Sequence, residues 1–138
     1  LGGGLPIGAC LMGKRVQDTL GYGDHGSTFG GNPVCCAGAL SILSRIDDAL
    51  LEQVRKKAAY LRDRFQGADG IEGVSGLGLM MGLKTTRPAA QVVSDCRDQG
   101  VLCLTAKDKV RLLPPLNISF EDLAETADVI LAAAARPC

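Results

Sequence analysis

The chain has 138 residues, 46% of them hydrophobic and 22% charged, with 15 basic residues balancing 15 acidic ones. That composition is globular, and the length is enough to bury a core. Zero net charge without a basic run argues against nucleic acid or an anionic membrane as partner, and no apolar run approaches the ~20 residues that cross a bilayer.

From the N-terminus, Leu1-Gly2-Gly3-Gly4 has neither an initiator Met nor a signal-peptide pattern and reads as the interior of a longer chain. The turn leads into a short apolar strand expected over Ile7 to Met12. Residues 21–31 contain five glycines and no apolar periodicity, the pattern of a loop. Asn32 is a good N-cap and Pro33 suits the first helical position, so a helix starts there with Cys36, Ala39, Leu40, Leu43 and Ile46 as its core stripe. Asp47-Asp48 ends it and caps the next helix, which sets Leu51, Val54, Ala58, Leu61 and Phe65 against a solvated face of Glu52, Arg55, Lys56, Arg62 and Asp63.

After a turn at Gly67 to Gly70, the apolar run Ile71 to Leu83 is punctuated by Gly73, Gly76, Gly78 and Gly82. This suits two short strands, or one bent by bulges. Pro88 begins a third helix, with Ala89, Val92, Val93 and Cys96 inside and Gly100 as its stop. Val101–Leu104 and Val110–Leu113 form a hairpin around Lys107-Asp108-Lys109. Ser119-x-x-Asp122 resembles a capping box, and the last helix is expected to bury Phe120, Leu123, Ala127, Ile130 and Leu131. Residues 49–138 thus read as a small α+β domain with its own core. Residues 1–46 read as the end of a larger domain, because one strand and one helix cannot bury their apolar faces alone.

Six cysteines contain no Cys-x-x-Cys pair, and the single His25 cannot complete a zinc set. They read as small apolar side chains in a reducing cytoplasm, with no metal.

The segment Asp24-His25-Gly26-Ser27-Thr28-Phe29-Gly30-Gly31-Asn32-Pro33 is the most functional in character. Glycines let amides turn toward a ligand, adjacent hydroxyls can donate to an anion, and a helix N-terminus follows. Its bland alternative is a glycine-rich connection ending in an Asn-Pro helix start.

His25 to Pro33 is similar, residue for residue, to a segment of the class III aminotransferases of the acetylornithine/ornithine type. Leu1 to Ala9 is similar to the stretch that follows that family's cofactor-binding lysine, and Val110-Arg-Leu-Leu-Pro-Pro-Leu-Asn-Ile-Ser119 to its C-terminal substrate-binding segment. The resemblance implies the C-terminal part of an α/β, type I fold of pyridoxal-phosphate (PLP) enzymes: the end of the large domain over 1–46 and the small domain over 49–138. It implies transamination between an amino acid, N-acetylornithine foremost, and 2-oxoglutarate. The Schiff-base lysine would lie upstream of Leu1, leaving this chain inactive alone. Thr28 would donate to the PLP phosphate in the other subunit of a homodimer, with Ser27 beside it near cofactor and substrate, and Arg111 would bind the substrate's α-carboxylate. His25 is given no catalytic role, only a loop-positioning hydrogen bond. Lys14, Lys56, Lys57, Lys84, Lys107 and Lys109 read as surface residues, and Ser75 stands where arginine is expected. The alternatives are ornithine or 4-aminobutyrate aminotransferase, or a non-enzymatic α+β module.

Overall fold

A computed structural model describes residues 1–137, so Cys138, one of the six cysteines, lies outside the described residues. The chain divides into two compact units, Leu1–Asp47 and Asp48–Cys138.

In the first unit, helix α1 (Pro33–Leu43) starts where its sequence supplies the cap: Asn32 Oδ1 accepts from the amides of Val34 and Cys35 at 3.0 and 3.2 Å. It is the unit's only regular element among the described residues. Ahead of it the backbone is held by tight turns, such as Leu5 to Gly2, Val16 to Gly13 and Gly30 to Ser27. The strand expected over Ile7 to Met12 does not form. An extended segment becomes a strand only by pairing, and no described residue pairs with it. The expected stripe of α1 also fails: Ala39 is buried, but Leu40 and Leu43 are 68% and 50% exposed. The turn Gly2–Leu5 lies instead over Gly38, where a Cβ would collide with the Leu5 side chain.

The second unit begins with α2 (Asp48–Phe65), followed by β1 (Ile71–Leu77), β2 (Met80–Thr85), α3 (Ala89–Asp98), β3 (Leu104–Ala106), β4 (Lys109–Leu112) and α4 (Phe120–Ala134). The four strands pair antiparallel in the order β1-β2-β4-β3. The bulge anticipated in the glycine-rich run falls between Ile71 and Gly73. Gly76 is required by the tight approach of β2: its φ is 118°, and a Cβ would run into the Met80 carbonyl. Gly100, at φ 84°, ends α3, and the amide of Val101 returns to the carbonyl of Cys96 at 2.9 Å. Ser119 caps α4, its Oγ accepting from the amide of Asp122 at 2.9 Å.

Strand alternation sends Met81, Leu83, Val110 and Leu112 to one face of the sheet. There they meet Leu61 and Phe65 of α2, Val92 and Cys96 of α3, and Leu123, Ala127 and Ile130 of α4. Each fully buried large apolar side chain contributes about 1.5–3 kcal/mol relative to exposure. Two expected core members of α4 are corrected. Phe120 is 43% exposed and Leu131 half-buried, because the inward stripe runs through Leu123, Ala127, Ile130 and Ala134. Phe120 sits at the helix edge and meets Tyr60 edge to face, with ring centroids 5.9 Å apart.

Arg87 ties the far end of this layer together. Its Nη1 donates to Asp95 Oδ2 at 2.8 Å and to the Ala133 carbonyl. That hydrogen bond, aided by Arg136 at 3.3 Å, holds the Asp95 carboxyl below its usual range. Within the core, Cys96 and Cys103 share a hydrogen bond, which together with burial pushes the Cys96 thiol up and keeps it protonated.

Candidate functional site

The two groups of residues singled out in the sequence lie in different units. Ser27 and Thr28 lie in the turn before α1, where the Gly30 amide donates to the Ser27 carbonyl at 3.2 Å. Both hydroxyls are exposed, and neither makes a hydrogen bond among the described residues. Two adjacent donors without an internal partner fit an anionic oxygen, as a phosphate contact requires.

The other anion-binding feature expected here is absent. The start of α1 is closed by its own cap, since Asn32 takes the amides of Val34 and Cys35 and its carbonyl takes that of Cys36. The helix therefore has few free N–H groups left to offer. His25 also departs from expectation, because its ring is exposed and makes no hydrogen bond among the described residues.

Arg111 lies on β4, on the sheet face opposite the core, alternating with buried Val110 and Leu112. Its Nε is buried without a hydrogen-bond partner, and its guanidinium makes no ion pair among the described residues. A guanidinium that is partly desolvated and unpaired is costly unless an anion completes it. Arg87, whose Nε is likewise buried without a partner, contrasts in having its charge answered by Asp95 inside the fold. Gly82 of β2 stands opposite Arg111, and Ser75 of β1 stands opposite Gly82, so a row without a central side chain crosses the sheet. Ser75 Oγ donates to the Gly82 carbonyl at 3.2 Å and accepts from Lys109 Nζ at 2.9 Å.

Two lysines therefore depart from the surface role expected of them. Lys109 is half-buried across this row. Lys57 is only 5% exposed, its Nζ donating to the Leu116 carbonyl at 3.2 Å and lying 6.0 Å from the centre of the Phe120 ring. The Lys109–Ser75 contact was missed in the sequence, although the alternation Lys109-Val110-Arg111-Leu112 already places both cations on one face.

A cleft of about 340 Å³ between α2, α4 and the segment before β3 is lined by Leu61, Phe65, Val101, Leu113, Pro114 and Ile118 among others, none of them charged. It offers no charged side chain, and its one titratable group is the Cys103 thiol. No group of three or more metal-ligating side chains occurs among the described residues, and no helix is long and apolar enough to cross a membrane.

Known proteins resemble this chain over almost its whole length. Residues 1–134 match the family model of the class-III aminotransferases. The chain belongs to that family. The acetylornithine aminotransferase of Haemophilus ducreyi is 47% identical over 132 residues, covering 94% of this chain and 34% of the relative. Among solved structures, an ornithine aminotransferase from Toxoplasma gondii, with PLP at partial occupancy in its active site, has a TM-score of 0.73 and 28% identity over 88% of this chain and 31% of its own. The acetylornithine aminotransferase of Elizabethkingia anophelis gives 0.72 and 29%, over 86% and 34%. This class III chain has the fold of part of the PLP-dependent aminotransferases and spans about a third of the length of the curated relatives it matches.

Proposed function

We propose that this chain is the C-terminal portion of an acetylornithine aminotransferase, moving an amino group from N-acetylornithine to 2-oxoglutarate in a cytoplasmic homodimer. Residues 1–46 would close the large domain and residues 49–138 form the small one. The observation that carries the reading is Arg111, an arginine with a buried, unpartnered Nε on the non-core face of the sheet, within a family match over residues 1–134. Its planar fork suits the α-carboxylate common to both substrates. The Thr28 hydroxyl would donate to the cofactor phosphate of the partner subunit, with Ser27 beside it facing cofactor and substrate. PLP, when bound, supplies the electron sink for amino transfer. The residues of this chain bind and orient, and the lysine that carries the cofactor lies upstream of Leu1.

The name of the Haemophilus ducreyi relative favours N-acetylornithine over ornithine or 4-aminobutyrate, and family membership disfavours a non-enzymatic module. The test is kinetic. The enzyme extended upstream through the lysine should turn over N-acetylornithine with 2-oxoglutarate in preference to ornithine and 4-aminobutyrate. Arg111→Lys should lower kcat/KM by roughly tenfold or more, because a bidentate donor is replaced by a point charge. The 138-residue chain with added PLP should show neither turnover nor the absorbance of a lysine-bound cofactor. Full activity of Arg111→Lys, or turnover by the short chain, would refute the assignment.

A further inference from the structure

The non-core face of the sheet holds more positive charge than the carboxylate reading of Arg111 uses. Lys84, Lys109 and Arg111 all leave it, alternating with the buried residues of β2 and β4. Lys84 and Lys109 stand directly opposite each other, an arrangement that destabilises unless charge is answered. Lys84 is answered by Glu72 at 3.0 Å. Among the described residues Lys109 and Arg111 have no acidic partner. Two unanswered cations two residues apart on one strand repel, and an anion shared between them would reverse the sign of that interaction.

The side chain of Lys109 is placed for such sharing by two other residues. Gly82 leaves the surface bare, and Lys109 lies across it so closely that a Cβ at Gly82 would come within 3.2 Å of both Lys109 Cδ and Ser75 Oγ. Ser75 then fixes the ammonium, accepting its proton at 2.9 Å while donating its own to the Gly82 carbonyl at 3.2 Å. The ammonium ends beside Ser75 of β1, and Arg111 rises from β4, with the apolar stem of Lys109 over Gly82 between them. A carboxylate above that stem would accept from both cations. The ammonium keeps two further N–H donors for it.

We propose that Lys109, positioned by Ser75, is a second cationic contact for the substrate carboxylate that Arg111 binds. The proposal rests on the reading of Arg111 given above and adds a specificity-determining residue to it. Its prediction concerns small carboxylates in general: affinity depends on Lys109 as well as Arg111, and falls with salt more steeply than one charge would allow.

The experiment is a titration of the 138-residue chain with 2-oxoglutarate and with acetate, against sodium chloride at matched ionic strength. Binding is followed by the backbone amide resonances of Gly82 and Arg111. Arg111→Met should abolish carboxylate-specific shifts, and Lys109→Met and Lys109→Gln should each weaken binding about fivefold, as for one partly exposed charge contact. Lys84→Met should leave binding unchanged. Ser75→Ala should weaken it about twofold through loss of positioning, and Ser75→Thr, which keeps the hydroxyl, should restore it. Unaltered binding in both Lys109 variants, with loss in Arg111→Met, overturns this proposal and leaves Arg111 standing. No carboxylate-specific binding by the unsubstituted chain, or none lost in Arg111→Met, overturns both readings.

Discussion

The two units of this chain use similar proportions of apolar sequence to opposite ends. From Asp48 onward, three helices cover one face of a four-stranded sheet, and Phe65, Leu83, Val92, Val110, Ala127 and Ile130 are wholly inaccessible to solvent. Between Leu1 and Asp47, Gly2 and Ala39 alone are buried, while Leu11, Tyr22, Phe29 and Leu40 stand out into solvent. The difference lies in connectivity more than in composition. In the second unit every amphipathic face meets another from elsewhere in the sequence. The first has one helix and a series of local turns, and a single helix gives its apolar side chains nothing to close upon. Stability follows the number of faces that can meet, and exposed hydroxyls and apolar side chains are what remains when they cannot.

Amide hydrogen exchange of the monomeric chain would test this contrast most strongly. Residues 1–31 should exchange with almost no protection, and β2, β4 and α4 should be protected up to the global stability. Equal protection in both regions of a proven monomer would break the comparison. A smaller effect separates two leucines. Leu83→Ala, at a site with no solvent exposure, should destabilise by about 3 kcal/mol, whereas Leu40→Ala in α1 should stay within about 0.5 kcal/mol, as read from denaturant melts.

The smallest effect concerns pH and is confined to the second unit. The hydrogen bond from Arg87 holds the Asp95 carboxyl below its usual 3.8, so the stability it lends is present above that value and is lost as pH falls through the depressed one. Asp95→Asn should therefore be less stable at neutral pH and lose less on acidification. An acid-unfolding curve superimposable on that of the unsubstituted chain would remove Asp95 from the account.

These regions also differ in how far they could be read in advance. Helix starts were legible because their chemistry is local: Asn32-Pro33 and Ser119-x-x-Asp122 carry their own caps. The stripe of α2 was legible as well, yet Lys57 was placed outside by its residue type, although its spacing from Val54 and Leu61 sets it on the inner face. The hairpin before β4 turns on Lys107 at φ 57°, a conformation that Asn or Gly would have announced and Lys does not. The strand expected over Ile7 to Met12 failed for want of a partner, which no local pattern can report. Of the candidate site, Ser27, Thr28 and Arg111 were named through resemblance to a family. The lysine beside Ser75 became visible only when β1, β2 and β4 were in register, because the two residues are brought together by pairing and not by sequence distance.

One close approach in the second unit bears on how it is made. Gly70, in the turn before β1, faces the carbonyl of Ala134 so closely that a Cβ would strike it. Arg87 reaches the neighbouring carbonyl of Ala133. The last helix thus seals a turn laid down some sixty residues earlier, and it brings Leu123, Ala127 and Ile130 to the core as it does so. During synthesis the sheet and the first two helices of this unit must wait with that face uncovered, and such an interval favours association with chaperones or with other nascent chains.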